Sequence, residues 1–170
     1  LFGLGSVVFL SMGNAVGIIM GQMLGAGNAG DEIRDTNRKL IAFSVVTGGL
    51  FGGIIALFSG VFPTIYNTTD EVRYIATRII WICAAFMPIH SYCNATYFTL
   101  RSGGKTGITF LFDCGAIWLL SLPLAFVLSR FTQLHIFVIY GIVTSVGFIK
   151  SLVGVFMIRS GNWIQKLTIK

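Results

Sequence analysis

Five long apolar stretches separated by short polar connections dominate the chain: Leu1 to Leu24, Leu40 to Phe62, Tyr74 to Leu100, Gly107 to Ser129, and Ile136 to Ile158. Each holds 23 to 27 residues. As a helix rising about 1.5 Å per residue, each spans the roughly 30 Å hydrocarbon layer of a bilayer with some tilt. A membrane strand needs only about 10 residues of alternating polarity, and that alternation is absent here. The pattern predicts an all-α, polytopic transmembrane helix bundle of five spans, with residues 1–170 forming one unit. The connection from Arg101 to Thr106 is so short that the third and fourth spans must form an antiparallel hairpin, tipped by Arg101 and Lys105.

Composition agrees with lipid as the main solvent. Hydrophobic residues make up 55% of the 170 positions and charged residues 11%, whereas soluble domains carry about 25% charged residues. The net charge of +6 does not point to nucleic acid, because the basic residues lie between apolar spans and form no single basic face. They read instead as topology signals. Alternate connections place Arg34, Arg38, Lys39, Arg101, Lys105, Arg159, Lys166 and Lys170 on one side, and Arg73 and Arg130 on the other. Eight against two predicts a cytoplasmic C-terminus, with the first span running from outside to inside. Asp31, Glu32 and Asp35 in the first connection are structural charges, and Asn67, Thr68, Thr69 or Asp70 is expected to cap the third helix after Pro63 ends the second. Cys83, Cys93 and Cys114 all sit in apolar stretches with no metal-ligand spacing, so they read as small hydrophobes. No metal site or cofactor is expected. The chain opens on Leu1, already inside an apolar stretch, which reads as a fragment or the tail of a longer protein.

Two nucleotide-like motifs fail on context. Gly25, Gly27 and Gly30 match GxGxxG, but the motif follows a membrane span where a dinucleotide site needs a β-strand. Gly104, Lys105 and Thr106 imitate the end of a P-loop, yet Thr99 stands where that loop requires glycine. Glycine spacing is more telling. Gly13, Gly17, Gly21 and Gly25 recur every four residues, and Gly48, Gly49, Gly52 and Gly53 repeat the device in the second span. Such ridges let helices approach closely in lipid. Packing within the chain is the first expectation for them, and dimerisation through the same ridge is the alternative.

Ionisable side chains within membrane spans are costly and mark functional positions by default. Arg78 lies close enough to Arg73 to snorkel to the interface as an anchor. Asp113 and Lys150 fall at similar depth on neighbouring antiparallel spans, about 12 Å and 13 Å along their axes from Lys105 and Arg159. A structural ion pair, a role in ion coupling or substrate binding, and no contact at all are the three readings. His90 lies near mid-bilayer, two residues past the kinking Pro88 and one turn before Asn94. It reads as a packed imidazole or as a proton relay. His90, Asn94, Asp113 and Lys150 are therefore the candidate cavity or transport residues. A membrane enzyme would need paired carboxylates, HExxH or a Ser/His constellation, which one intramembrane Asp does not supply, so no enzymatic activity is expected.

Residues Ala95 to Thr106, followed by Phe110 to Asp113, Trp118 and Leu122 to Phe126, resemble the join between the tenth and eleventh helices of MATE (multidrug and toxic compound extrusion) transporters. Gly21 to Gly27 resembles the end of that family's eighth helix, and Tyr66 to Val72 the loop before its tenth. The resemblance runs in order along nearly the whole chain. It implies helices eight to twelve, a partial C-terminal lobe of a transporter whose two six-helix lobes enclose a cavity open alternately to each side. Its implied activity is antiport across the plasma membrane, exporting drugs or other small cationic or amphipathic substrates while Na⁺ or H⁺ enters. The implied partners are the lipid bilayer and the missing N-terminal lobe, and such a part alone is not expected to transport. Tyr74 to Leu100 contains no Asp or Glu to match the tenth-helix carboxylate of the family's Na⁺-coupled members, so the coupling ion stays open. The alternatives are a lipid-linked oligosaccharide flippase of the same superfamily and a non-transporting membrane interaction protein.

Overall fold

A computed structural model describes residues 2–65, 69–104, 106–132, 134–160 and 163. Leu1, Tyr66, Asn67, Thr68, Lys105, Lys166 and Lys170, which carry parts of the loop, cap and charge readings above, lie outside the described residues. The chain runs through α1 (Phe2–Gly25), α2 (Gly30–Leu57), a short 3₁₀ turn (Phe62–Ile65) and α3 (Asp70–Ser102). A fourth rod, 106–131, follows, and α6 (Ile136–Arg159) closes the bundle. The fourth rod consists of α4 (Thr106–Phe110), two π-helical segments (Leu111–Gly115 and Ile117–Ser121) and α5 (Leu122–Phe131). Among the described residues there is no strand, and five helices are long and apolar enough to cross a membrane.

The helices extend past most ends of the apolar stretches, but α2 stops short of Phe62, where its stretch ends. α2 begins at Gly30, ten residues before the stretch that opens at Leu40, and stops at Leu57, ahead of Pro63. Asp31 and Glu32 occupy its first turn, where acidic side chains complement the helix dipole, and the Lys39–Asp35 pair at 2.5 Å supports the next turns. Hydropathy marks where lipid begins, while these local charges extend the helix into water. The N-cap of α3 is Thr69, but its side chain makes no capping hydrogen bond. At the same end of α3, the Arg78 guanidinium lies 5.0 Å above the Tyr74 ring, a cation–π contact.

Two turns depend on glycine. Gly27 (φ +71°), between α1 and α2, and Gly104 (φ +78°), between α3 and α4, hold left-handed backbone that residues with a Cβ rarely adopt. Proline shapes two other places. Pro123 has no N–H to donate, and just before it the Leu122 N–H reaches back five residues to the Ile117 carbonyl. The π geometry of Ile117–Ser121 thus adjoins the proline break.

α3 is the central pillar, packed against α1, α2, α6 and the start of the fourth rod. Its partners approach through small residues. A Cβ added at Gly52 of α2 would lie 2.6 Å from the Ala84 carbonyl and 3.1 Å from Met87 Cβ, and one at Gly48 would overlap the Ser91 hydroxyl. Ala84 is the residue whose carbonyl Pro88 cannot serve with an N–H, so the backbone break in α3 faces the bare glycine surface of α2. On α1, Gly13 and Gly17 face Phe98, whereas Gly21 and Gly25 have no neighbour of this kind within 4 Å among the described residues. Among those residues the α1 ridge therefore packs over its first half. One buried polar bridge adds to the α2–α3 seam, with Thr99 Oγ1 donating to Asn37 Oδ1 at 2.7 Å. Both residues are buried.

At the end of the bundle where α1 finishes and α2 starts, Val16, Met20, Leu24, Ile33, Ile41, Ala95, Leu100 and Trp163 form a continuous core. Large apolar side chains face outward elsewhere, Leu57 at 82% exposure and Phe131 and Phe156 at 76% among them. Water-soluble monomers rarely present so many large apolar side chains outward; against lipid tails they cost nothing.

Candidate transport cavity

On the other side of α3 from α2, a cavity of about 570 Å³ opens between α1, α3, the fourth rod and α6. All four candidate residues line it: His90 and Asn94 from α3, Asp113 from the first π segment, and Lys150 from α6. Tertiary packing brings them together from three elements, which hydropathy alone did not establish.

Asp113 and Lys150 form an ion pair, with Lys150 Nζ donating to Asp113 Oδ1. The lysine side chain is 18% exposed and the carboxylate 44%. The carboxylate is thus the more accessible partner, with a face still open to whatever enters the cavity. Of the three readings of these two residues, the contact itself is now seen. A pair of this kind can do two things chemically. It can stand as a structural bridge, or it can break when a cation takes the carboxylate and leaves the lysine charge unbalanced.

The His90 ring stacks on Phe9 of α1 at 6.0 Å between centroids and 17° between planes. Asn94 Nδ2 donates to the His90 carbonyl at 3.1 Å. This amide turned back along its own helix leaves its carbonyl oxygen as the part of Asn94 best suited to a ligand.

Several cavity residues were missed at the level of sequence. Arg101, read there as a hairpin-tip charge, belongs to the last turn of α3 and lines the cavity, as do Tyr97, Ser121, Tyr140 and Thr144. Tyr140 Oη sits 3.1 Å from Cys83 Sγ of α3, and Thr144 Oγ1 donates to the Tyr140 carbonyl at 2.7 Å. A signal for them existed: Tyr140, Thr144, Gly147 and Lys150 recur at spacings of four, three and three residues, which puts them on one face of α6. The cavity wall is mixed, with aromatic rings, hydroxyls and one ion pair in an apolar frame. Among the described residues no three His, Cys, Asp or Glu side chains converge to hold a metal ion.

Five membrane-length helices, four of which line a largely apolar cavity with polar groups in its wall, define a multi-pass helical membrane protein. Comparison with known proteins narrows this further. A sequence profile of the family described as MatE matches residues 1–127, and the chain belongs to that family. Over 127 residues it is 31% identical to the probable multidrug resistance protein YoeA of Bacillus subtilis (strain 168), a match covering 75% of this chain and 27% of that protein. The chain thus spans about a quarter of the length of the curated relative it matches. No solved structure matches it.

Proposed function

We propose that this chain forms helices of the C-terminal lobe of a MATE-type secondary transporter in the plasma membrane, with its C-terminus in the cytoplasm. In this reading the protein exports small cationic or amphipathic compounds by alternating access, coupled to Na⁺ or H⁺ entry. The observation that carries it is the Asp113–Lys150 pair inside a cavity of about 570 Å³, within a chain of this family whose matched relative is named a probable multidrug resistance protein. Aromatic walls from Tyr97, Phe98 and Tyr140 suit a flat amphipathic cation. The partly exposed carboxylate suits either that cation or the coupling ion. Binding one excludes the other, and that exclusion is the core of antiport.

The test is export of a cationic dye by the full-length protein in proteoliposomes, under an imposed Na⁺ gradient in one series and an imposed pH gradient in another. Export driven by one gradient and abolished by the matching ionophore is the expected result. No export above protein-free vesicles under either gradient overturns the reading.

A further inference from the structure

A second pocket, of about 530 Å³, lies on the opposite flank of α3, between α2 and α6. Three guanidinium groups line it: Arg34 and Arg38 from the first turns of α2, and Arg159 from the last turn of α6. All three residues are exposed. Among the described residues no carboxylate is part of its lining. Among the described residues the cations found in ion pairs are Lys39, Arg73 and Lys150, none of them from this pocket.

Its floor is fixed. Buried Trp163 donates its indole N–H to the Ile158 carbonyl at 3.1 Å, and buried Asn37 is held by Thr99. The pocket also lies where apolar helix gives way to charged helix, since α2 turns apolar from Leu40 and α6 is apolar up to Ile158. Half-buried Tyr92, another lining residue, is followed along α3 by half-buried Pro88 and by Ala85 and Trp81, both exposed. These four recur at spacings of four and three, so they share one face. Trp81 is 56% exposed. A cationic cup thus adjoins an apolar stripe on the surface of α3.

We infer that this pocket holds the phosphodiester headgroup of an anionic phospholipid, with an acyl chain lying along the Tyr92 to Trp81 face of α3. Guanidinium groups present paired N–H donors that match phosphate oxygens, and basic pockets between transmembrane helices suit such headgroups. A free phosphate would need the cup but not the apolar face beside it. The site is separate from the transport cavity, so it stands or falls independently of the export proposed above.

The test uses the full-length protein, stripped of lipid in detergent and titrated with phosphatidylglycerol or phosphatidylcholine, with bound lipid counted by native mass spectrometry. The parent should prefer phosphatidylglycerol. Replacing Arg34, Arg38 and Arg159 together by Gln should lower that preference by about tenfold or more, whereas Lys39→Gln, which removes a nearby charge outside the pocket, should keep it. Arg159→Gln alone, a change at one exposed side chain, should lower it about threefold and serves if the triple variant does not fold. Undiminished preference in the folded triple variant, or in the single variant when that one is used, overturns the proposal. Displacement of phosphatidylglycerol by millimolar inorganic phosphate overturns the lipid assignment and leaves a phosphate site.

Discussion

Asp113→Asn and Lys150→Gln are each expected to destabilise the protein, while the double replacement costs clearly less than the two losses added together. Each single change breaks the observed ion pair while its other charge stays in the cavity wall. For a fully buried pair that costs about 3–5 kcal/mol. Here the carboxylate is 44% exposed, so screening within the cavity reduces the expected loss to about 1–3 kcal/mol. The double variant removes both charges and their mutual need, and the coupling should be about 1 kcal/mol or more. Thermal unfolding of the purified protein and its three variants in one detergent measures this. Additivity to within about 0.5 kcal/mol would show that the two side chains do not interact.

The second large effect belongs to the α2–α3 seam. Gly52→Ala places a methyl group 2.6 Å from the Ala84 carbonyl. That neighbour is backbone, so it cannot rotate away as a side chain end would. Overpacking of this kind costs about 1–3 kcal/mol, and Gly48→Leu with Gly52→Leu should prevent recovery of folded protein. Gly53 lies one residue on but faces open space. Gly53→Ala should therefore be neutral or stabilising by up to about 1 kcal/mol, because alanine favours helix. Unfolding midpoints of the two alanine variants decide the matter, and an unchanged midpoint for Gly52→Ala would mean that α2 does not meet α3 in this register.

The contrast between these two glycines shows what periodicity does and does not reveal. Four-residue spacing marks a smooth helix face, but the neighbour that face meets is a tertiary fact. Gly13, Gly17, Gly48 and Gly52 met α3, while at Gly21 and Gly25 an added Cβ would meet nothing within 4 Å among the described residues. The five helices were legible because apolar length is a local property. Their water-side extensions were not, since Gly30 to Lys39 is too polar to register as a span yet forms good helix. Asp113 and Lys150 stood out because charge is rare in lipid. Arg101 did not, because at a hairpin tip a basic residue already has a topological explanation; only the fold turns it toward the cavity. The π segment that carries Asp113 was likewise hidden, as no local residue pattern prescribes it.

The central claim is that substrate passes through the cavity bounded by α3, the fourth rod and α6. Thr144→Trp in the full-length protein puts an indole into that space, while Leu50→Trp adds the same bulk on an outward-facing position of α2 that is 65% exposed. The direct measurement is the initial rate of cationic dye export by both variants, reconstituted at equal amounts of folded protein. The rate should fall about tenfold or more for Thr144→Trp and stay near the parental value for Leu50→Trp, as expected when a positioned pocket is filled. Parental export by a correctly folded Thr144→Trp variant would contradict the claim, because the cavity would then not be the path.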